Sequence, residues 1–169
     1  MARFALETET VLRNAGWAPG RQTDISAWVA EWEKVGVSAH DAAQSFLREF
    51  GGLSVDISGP GITVARTPFE LDPEQCEGED DRFLDWSEDI GHSLFPIGVL
   101  DMGRYFLGID ENSEVYALEL WVASYGRMPE AMDNLITGVR PVFIRELRTP
   151  RGQLAAARSP HREQTSLAC

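Results

Sequence analysis

Between Leu94 and Val122 the chain reads LFPIGVLDMGRYFLGIDENSEVYALELWV, three apolar segments parted by two short polar connectors. The segments, residues 94–100, 105–109 and 115–122, are each of strand length and too short for an ordinary helix. Asp101-Met102-Gly103 and Asp110-Glu111-Asn112-Ser113 supply turn residues, which tolerate left-handed backbone or bond their own main chain. The pattern predicts an antiparallel meander of three strands. In its middle strand Tyr105, Leu107 and Ile109 share one face, and Arg104, Phe106 and Gly108 the other. In the third, Tyr116, Leu118 and Leu120 oppose Ala117 and Glu119. A sheet centre of this kind excludes an all-helical fold and makes the rest of the chain its cover.

The segments before it read mainly as helices. Residues 7–15 form a short one, with Gly16 placed to end it in a left-handed cap. Asp24 is suited to cap a helix over 25–35, where Ile25, Trp28, Val29, Trp32 and Val35 recur at helical spacing before Gly36. Ser38 is suited to cap a third helix, with Asp41 three residues on. Its stripe is Ala42, Ala43, Phe46, Leu47 and Phe50, and Gly51-Gly52 ends it. Two tryptophans on one helical stripe can form a ligand box, but at this spacing they are read as core. Residues 53–57 alternate as a half-buried strand. After the turn Ser58-Gly59-Pro60-Gly61, residues 62–66 pair back as a hairpin.

Residues 70–89 change character, holding ten acidic side chains and one arginine, Arg82. Asp72-Pro73 to Asp80 reads as a loop. Residues 81–90 read as a helix with Phe83, Trp86 and Ile90 inward, closed by Gly91. After the meander, 129–137 is a last helix with Pro129 in its first turn, where a missing N–H costs nothing. Met132, Leu135 and Ile136 are its inner stripe, Gly138 stops it, and residues 139–143 add an edge segment. The chain is α+β: an antiparallel sheet of about five to six strands, covered by N-terminal helices and one C-terminal helix. Residues 1–144 form one domain, and residues 145–169, rich in Arg, Ser, Pro and Ala, read as a flexible basic tail.

Charge and cysteine usage narrow the function. Residues 1–144 hold 10 basic and 25 acidic side chains, and residues 145–169 hold 5 and 2, so a body at −15 carries a tail at +3. Such a body repels nucleic acid and anionic membrane and steers basic partners toward itself. No apolar run is long enough for a transmembrane helix, and the N-terminus turns acidic too soon for a secretory signal. The expected location is the cytoplasm. Cys76 and Cys169 lack partners at metal-ligand spacing, and no structural disulfide is expected between them. A chain of 169 residues buries roughly 70% of its extended surface and needs neither a metal nor a disulfide for stability.

The search for catalytic chemistry returns negatives. No nucleophile elbow, phosphate loop or H-E-x-x-H is present. His40, His92 and His161 are scattered and pair with neither cysteine. Asp110-x-Asn112-x-Glu114 begins like a calcium loop, but Val115 stands where the turn glycine belongs and Trp121 where the bidentate acid belongs. The pairs Asp80-Asp81 and Glu88-Asp89 lack the apolar setting that would separate their proton affinities. A binding protein is expected, without catalytic residues, cofactor or metal.

GW-x-PGR before a tryptophan-bearing helix, FLREFGGL at a helix-to-strand junction, a GPG turn, and PIG followed by a G-x-x-x-L-x-I-D hairpin occur in this order. From about Leu12 to Gly138 the chain resembles the SUKH superfamily, and within it the third subgroup, bacterial immunity proteins. Val99 after PIG and Asn112-Ser113 in the hairpin depart from the usual pattern. The resemblance implies an antiparallel sheet covered by helices, and the neutralisation of a polymorphic toxin, often a nuclease. It implies structural roles for Gly51, Gly52, Pro96, Gly98 and Asp110. A nuclease carries a basic groove that an acidic protein can cover. The expected contact residues are Glu77, Glu79, Asp80, Asp81, Asp85, Glu88 and Asp89, presented by a monomer or weak dimer. The alternative is a non-enzymatic adaptor that docks partners on its open sheet face or basic tail.

Overall fold

In the computed structural model, residues 3–146 are described. Three helices lead: α1 (Leu6–Asn14), α2 (Ser26–Lys34) and α3 (Asp41–Phe50). Two short strands follow, β1 (Ser54–Val55) and β2 (Phe69–Glu70), then a 3₁₀ turn (Pro73–Cys76) and α4 (Asp80–Ile90). The meander is β3 (Phe95–Leu100), β4 (Tyr105–Ile109), β5 (Glu114–Leu118) and β6 (Trp121–Arg127), before α5 (Glu130–Thr137) and β7 (Val142–Glu146). All seven strands form one antiparallel sheet in sequence order, so each pairs only with its chain neighbours.

The α+β fold agrees with the sequence reading, with one strand more than its upper count. Residues 115–122 are two strands rather than one. The turn between β5 and β6 has no Gly, Pro or Asn. It is closed instead by Glu119, whose N–H donates to the Trp121 carbonyl at 3.0 Å and whose carboxylate accepts from the Leu120 N–H at 2.9 Å. Residues 62–66 are not a strand. The N–H groups of Ile62, Thr63 and Val64 donate to the carbonyls of Thr137 and Gly138, which the end of α5 leaves unpaired. β1 pairs with β2 instead. The cap of α3 is His40, not Ser38: its Nδ1 accepts from the Ala43 N–H at 3.1 Å, while Nε2 donates to the Ser93 carbonyl at 2.9 Å. Both bonds suit one neutral tautomer. Arg145 and Glu146, expected in the tail, complete β7; the rest of the tail, with Cys169 and His161, lies outside the described residues.

The core lies mainly between the sheet and its helices. Trp32 meets Phe83 and Phe95 edge-on at 5.7 and 6.3 Å, and Phe83 carries the contact on to Trp86 and Phe106. Such aromatic pairs add about 0.5–1.5 kcal/mol each beyond their area. On the other flank α5 packs against β6 and α1 through Ala131, Met132, Leu135 and Ile136. Gly98 sets how closely β2 and β3 approach. It stands at φ +151° in a bulge of β3, and a Cβ there would lie 1.9 Å from the Glu70 carbonyl oxygen. β2 approaches β3 this closely only because the position has no side chain.

Candidate partner-binding surface

The acidic segment is an ordered scaffold rather than a loose loop. Asp72 opens the 3₁₀ turn by accepting from the Glu74 N–H at 2.9 Å, and the turn packs on β3, where the Cys76 thiol donates to the Gly98 carbonyl. Burial pushes that thiol above its ordinary range, so it is not a reactive thiolate. Asp80 and Asp81 sit in the first turn of α4, where the helix dipole favours negative charge. Arg82 is engaged inside the scaffold. It pairs with Glu79 at 3.0 Å, stacks over Trp86 and Phe106, and donates to the Glu119 carbonyl.

The seven expected contact residues stand in different settings along this scaffold. Asp81, Asp85 and Glu88 follow one another at helical spacing on the outer side of α4, with Asp81 and Glu88 exposed and Asp85 half-buried. Glu79 is spent on Arg82. Asp89 lies at the far end of α4, where its main-chain oxygen accepts from Arg145 at 2.7 Å. Glu77 and Asp80 face elsewhere, into a cavity of about 260 Å³ between α2 and the start of α4. Trp28 and Trp32 line this cavity, and Glu31 and Glu74 join Glu77 and Asp80 there. The sequence reading missed Glu31 and Glu74. The spacing of Trp28 and Glu31, one helical turn apart, was the available signal. It also placed both tryptophans in the core, whereas Trp32 is buried and Trp28 only half-buried.

A second hollow, of about 600 Å³, opens on the opposite face of the sheet. Tyr105 and Trp121, with ring centroids 5.4 Å apart, line it with Tyr125 and Phe143, and Val64 and Pro141 wall it. A bulge in β7 puts Phe143 there: Ala123 faces Phe143 and Val122 faces Arg145, so Ile144 is the extra residue and its two neighbours point to opposite faces. Burial pushes the Tyr125 phenol up to about 12.

The β4–β5 turn gathers His92, Asp110 and Glu111, whose ligand-type atoms lie within 4.8 Å of one another. Asp110 is fully buried and already occupied. One oxygen accepts from the N–H groups of Asn112 and Glu114 at 2.8 and 3.0 Å, the other from the Tyr116 hydroxyl at 2.9 Å. This is a hairpin turn stapled by its aspartate. His92 Nδ1 meets Glu111 at 3.0 Å, and that bond raises the imidazole pKa against the opposing effect of burial. Burial opposes ionisation of Glu111, but the bonds from His92 and from the main chain outweigh it and hold the carboxyl below its ordinary range.

No helix among the described residues is long and apolar enough to cross a membrane. Searches of curated proteins and of solved structures find no match. The SUKH-3 immunity protein family model matches residues 4–138, from the start of α1 through the end of α5, and so covers the cavity beside α2 and the stapled turn, while Arg140, Pro141 and Phe143 of the sheet hollow lie beyond it. By that match, the chain belongs to the SUKH-3 immunity protein family.

Proposed function

We propose that this protein is the immunity partner of a polymorphic toxin and neutralises it by binding a basic, nuclease-type toxin domain in the cytoplasm. The observation that carries this reading is the family match, and the charge supports it. A nuclease holds phosphate backbones in a cationic groove, and a body at −15 is attracted to such a groove at long range. Asp81, Asp85 and Glu88 on α4 and Glu77 and Asp80 at the cavity are the contact surface, with Glu79 and Asp89 at its margins. The action is occlusion by a monomer or weak dimer, with no catalytic step and no nucleic acid or membrane as partner.

Co-expression with the C-terminal domain of the neighbouring toxin-like gene tests this reading, scoring growth rescue and co-purification. Rescue with a stable complex that weakens in high salt is the expected result. Reversing Asp80, Asp81 and Asp85 to Lys is expected to weaken the complex with little change in Tm. Unchanged affinity in that variant would remove the acidic surface from the mechanism. The aromatic hollow on the sheet favours a second reading, an adaptor that docks some other protein. The lack of a toxin gene nearby, together with a partner captured through Trp121, would support it.

A further inference from the structure

We propose that the cavity between α2 and the start of α4 is a preformed seat for a single arginine or lysine side chain of the partner. This deepens the reading above, on which it rests for the identity of the partner, by naming the anchor of the complex. At about 260 Å³ the cavity is smaller than the usual range for small-molecule sites and suits one side chain. Its lining combines the two features that such a side chain needs. Trp28 and Trp32 offer indole surface for an aliphatic stem and a cationic head, and the carboxylate residues Glu31, Glu74, Glu77 and Asp80 share the lining.

Both indoles are fixed before any partner arrives. A Cβ on Gly51 would fall 2.6 Å from the Trp28 ring, so the ring lies directly on the glycine backbone at the end of α3. Trp32 is held edge-on by Phe83 and Phe95. Of the four carboxylates, Glu31 has a flexible, exposed partner in Lys34 at 2.7 Å. Glu74, Glu77 and Asp80 have no ion pair among the described residues. Three unneutralised carboxylates beside an apolar surface disfavour an apolar guest, which would strip them of water without replacing it. A metal is disfavoured too, because among the described residues only His92, Asp110 and Glu111 converge at ligand spacing. A second copy would bring another strongly acidic body to the same place. A guanidinium or ammonium on a flexible stem satisfies both surfaces at once.

The seat can be tested without the toxin. The full-length protein, labelled with ¹⁵N, is titrated with the peptide acetyl-Ala-Arg-Ala-amide and, separately, with its citrulline counterpart, which keeps the shape and loses the charge. The expected result is saturable shifts of the Trp28 indole N–H and of the amides from Glu74 to Asp80 for the arginine peptide alone. A Glu74→Gln, Glu77→Gln, Asp80→Asn variant should abolish them while leaving the remaining spectrum in place. Equal response to citrulline, or shifts confined to another region, would overturn the seat. In the toxin complex, Trp28→Leu should cost about tenfold in affinity, as a central anchor does, and unchanged affinity would count against the seat. A wild-type protein that binds the arginine peptide at Trp28 but no toxin domain would instead overturn the functional reading and leave the seat standing.

Discussion

Two hollows among the described residues share an aromatic lining and differ in the charge that accompanies it. Each has an aromatic lining, Trp28 and Trp32 in one, Tyr105, Trp121, Tyr125 and Phe143 in the other. Four carboxylates attend the first. The second has Asp101 and Arg140 on its lining, one charge of each sign. Aromatic surface rewards contact with almost any partner, and charge around it selects among them. The acidic hollow can therefore discriminate a cationic partner, whereas the sheet hollow can add contact area without specifying sign.

The largest perturbation would separate the two hollows at the backbone. Gly98→Ala forces a Cβ against the Glu70 carbonyl at a left-handed position, and β2 must move. The 3₁₀ turn that carries Glu74 follows β2 directly and rests on β3. The substitution should cost about 3 kcal/mol of stability, in the range of strained or overpacked core changes. Thermal unfolding reads the loss. In molecules that remain folded, the arginine-peptide response at Trp28 should weaken, while Trp121, on the far side of β4 and β5, keeps its environment. Equal disturbance of both hollows would show that the sheet transmits the strain.

How much of this was legible in the chain depends on whether a local signal existed. The meander could be read because Asp101, Gly103, Asp110 and Asn112 mark its turns in composition. The β5–β6 turn could not, because Glu119 closes it with its own carboxylate and carries no turn signature. Residues 62–66 alternate like a strand, yet their N–H groups answer the open carbonyls of α5, some seventy positions later. His40 displaced Ser38 as the cap because Ser93, distant in sequence, orients its ring. The acidic segment was visible as composition, but its division into an α4 stripe and a cavity lining needed α2, which brings Glu31 and Trp28 to Glu77 and Asp80.

A smaller effect tests whether the sheet hollow takes part in binding at all. Tyr105→Ala and Trp121→Ala remove a ring pair at 5.4 Å, and a double-mutant cycle should return about 0.5–1.5 kcal/mol of coupling in stability. If the toxin is held by the acidic side, both variants keep the salt dependence of toxin affinity. A changed salt slope would mean that the complex spans both hollows, and the contrast between them would then lose its functional meaning.

The smallest effect concerns pH, and it also distinguishes the two sides. The sheet hollow has little to titrate near neutrality, since burial pushes the Tyr125 phenol up to about 12. The acidic side has a titratable clasp at the end of its helix: His92, just past α4, is bonded to Glu111 in the β4–β5 turn at 3.0 Å. The folded pKa of His92 is raised from its ordinary 6.5, so its contribution is fully present below about that pH and is lost as pH rises through the higher folded value. The folded pKa of Glu111 is lowered from 4.5, so its contribution is present above that pH and is lost as pH falls through the lower folded value. Both are complete only between about 4.5 and 6.5. The pair is partly exposed, so solvent screening limits it to about 0.5 kcal/mol. His92→Asn should flatten the decline in stability above pH 6.5, measured by urea unfolding across pH, and leave the ring environment of Trp121 unchanged. If the decline persists in that variant, a group other than His92 titrates there, and the clasp is not what makes the acidic side sensitive to pH.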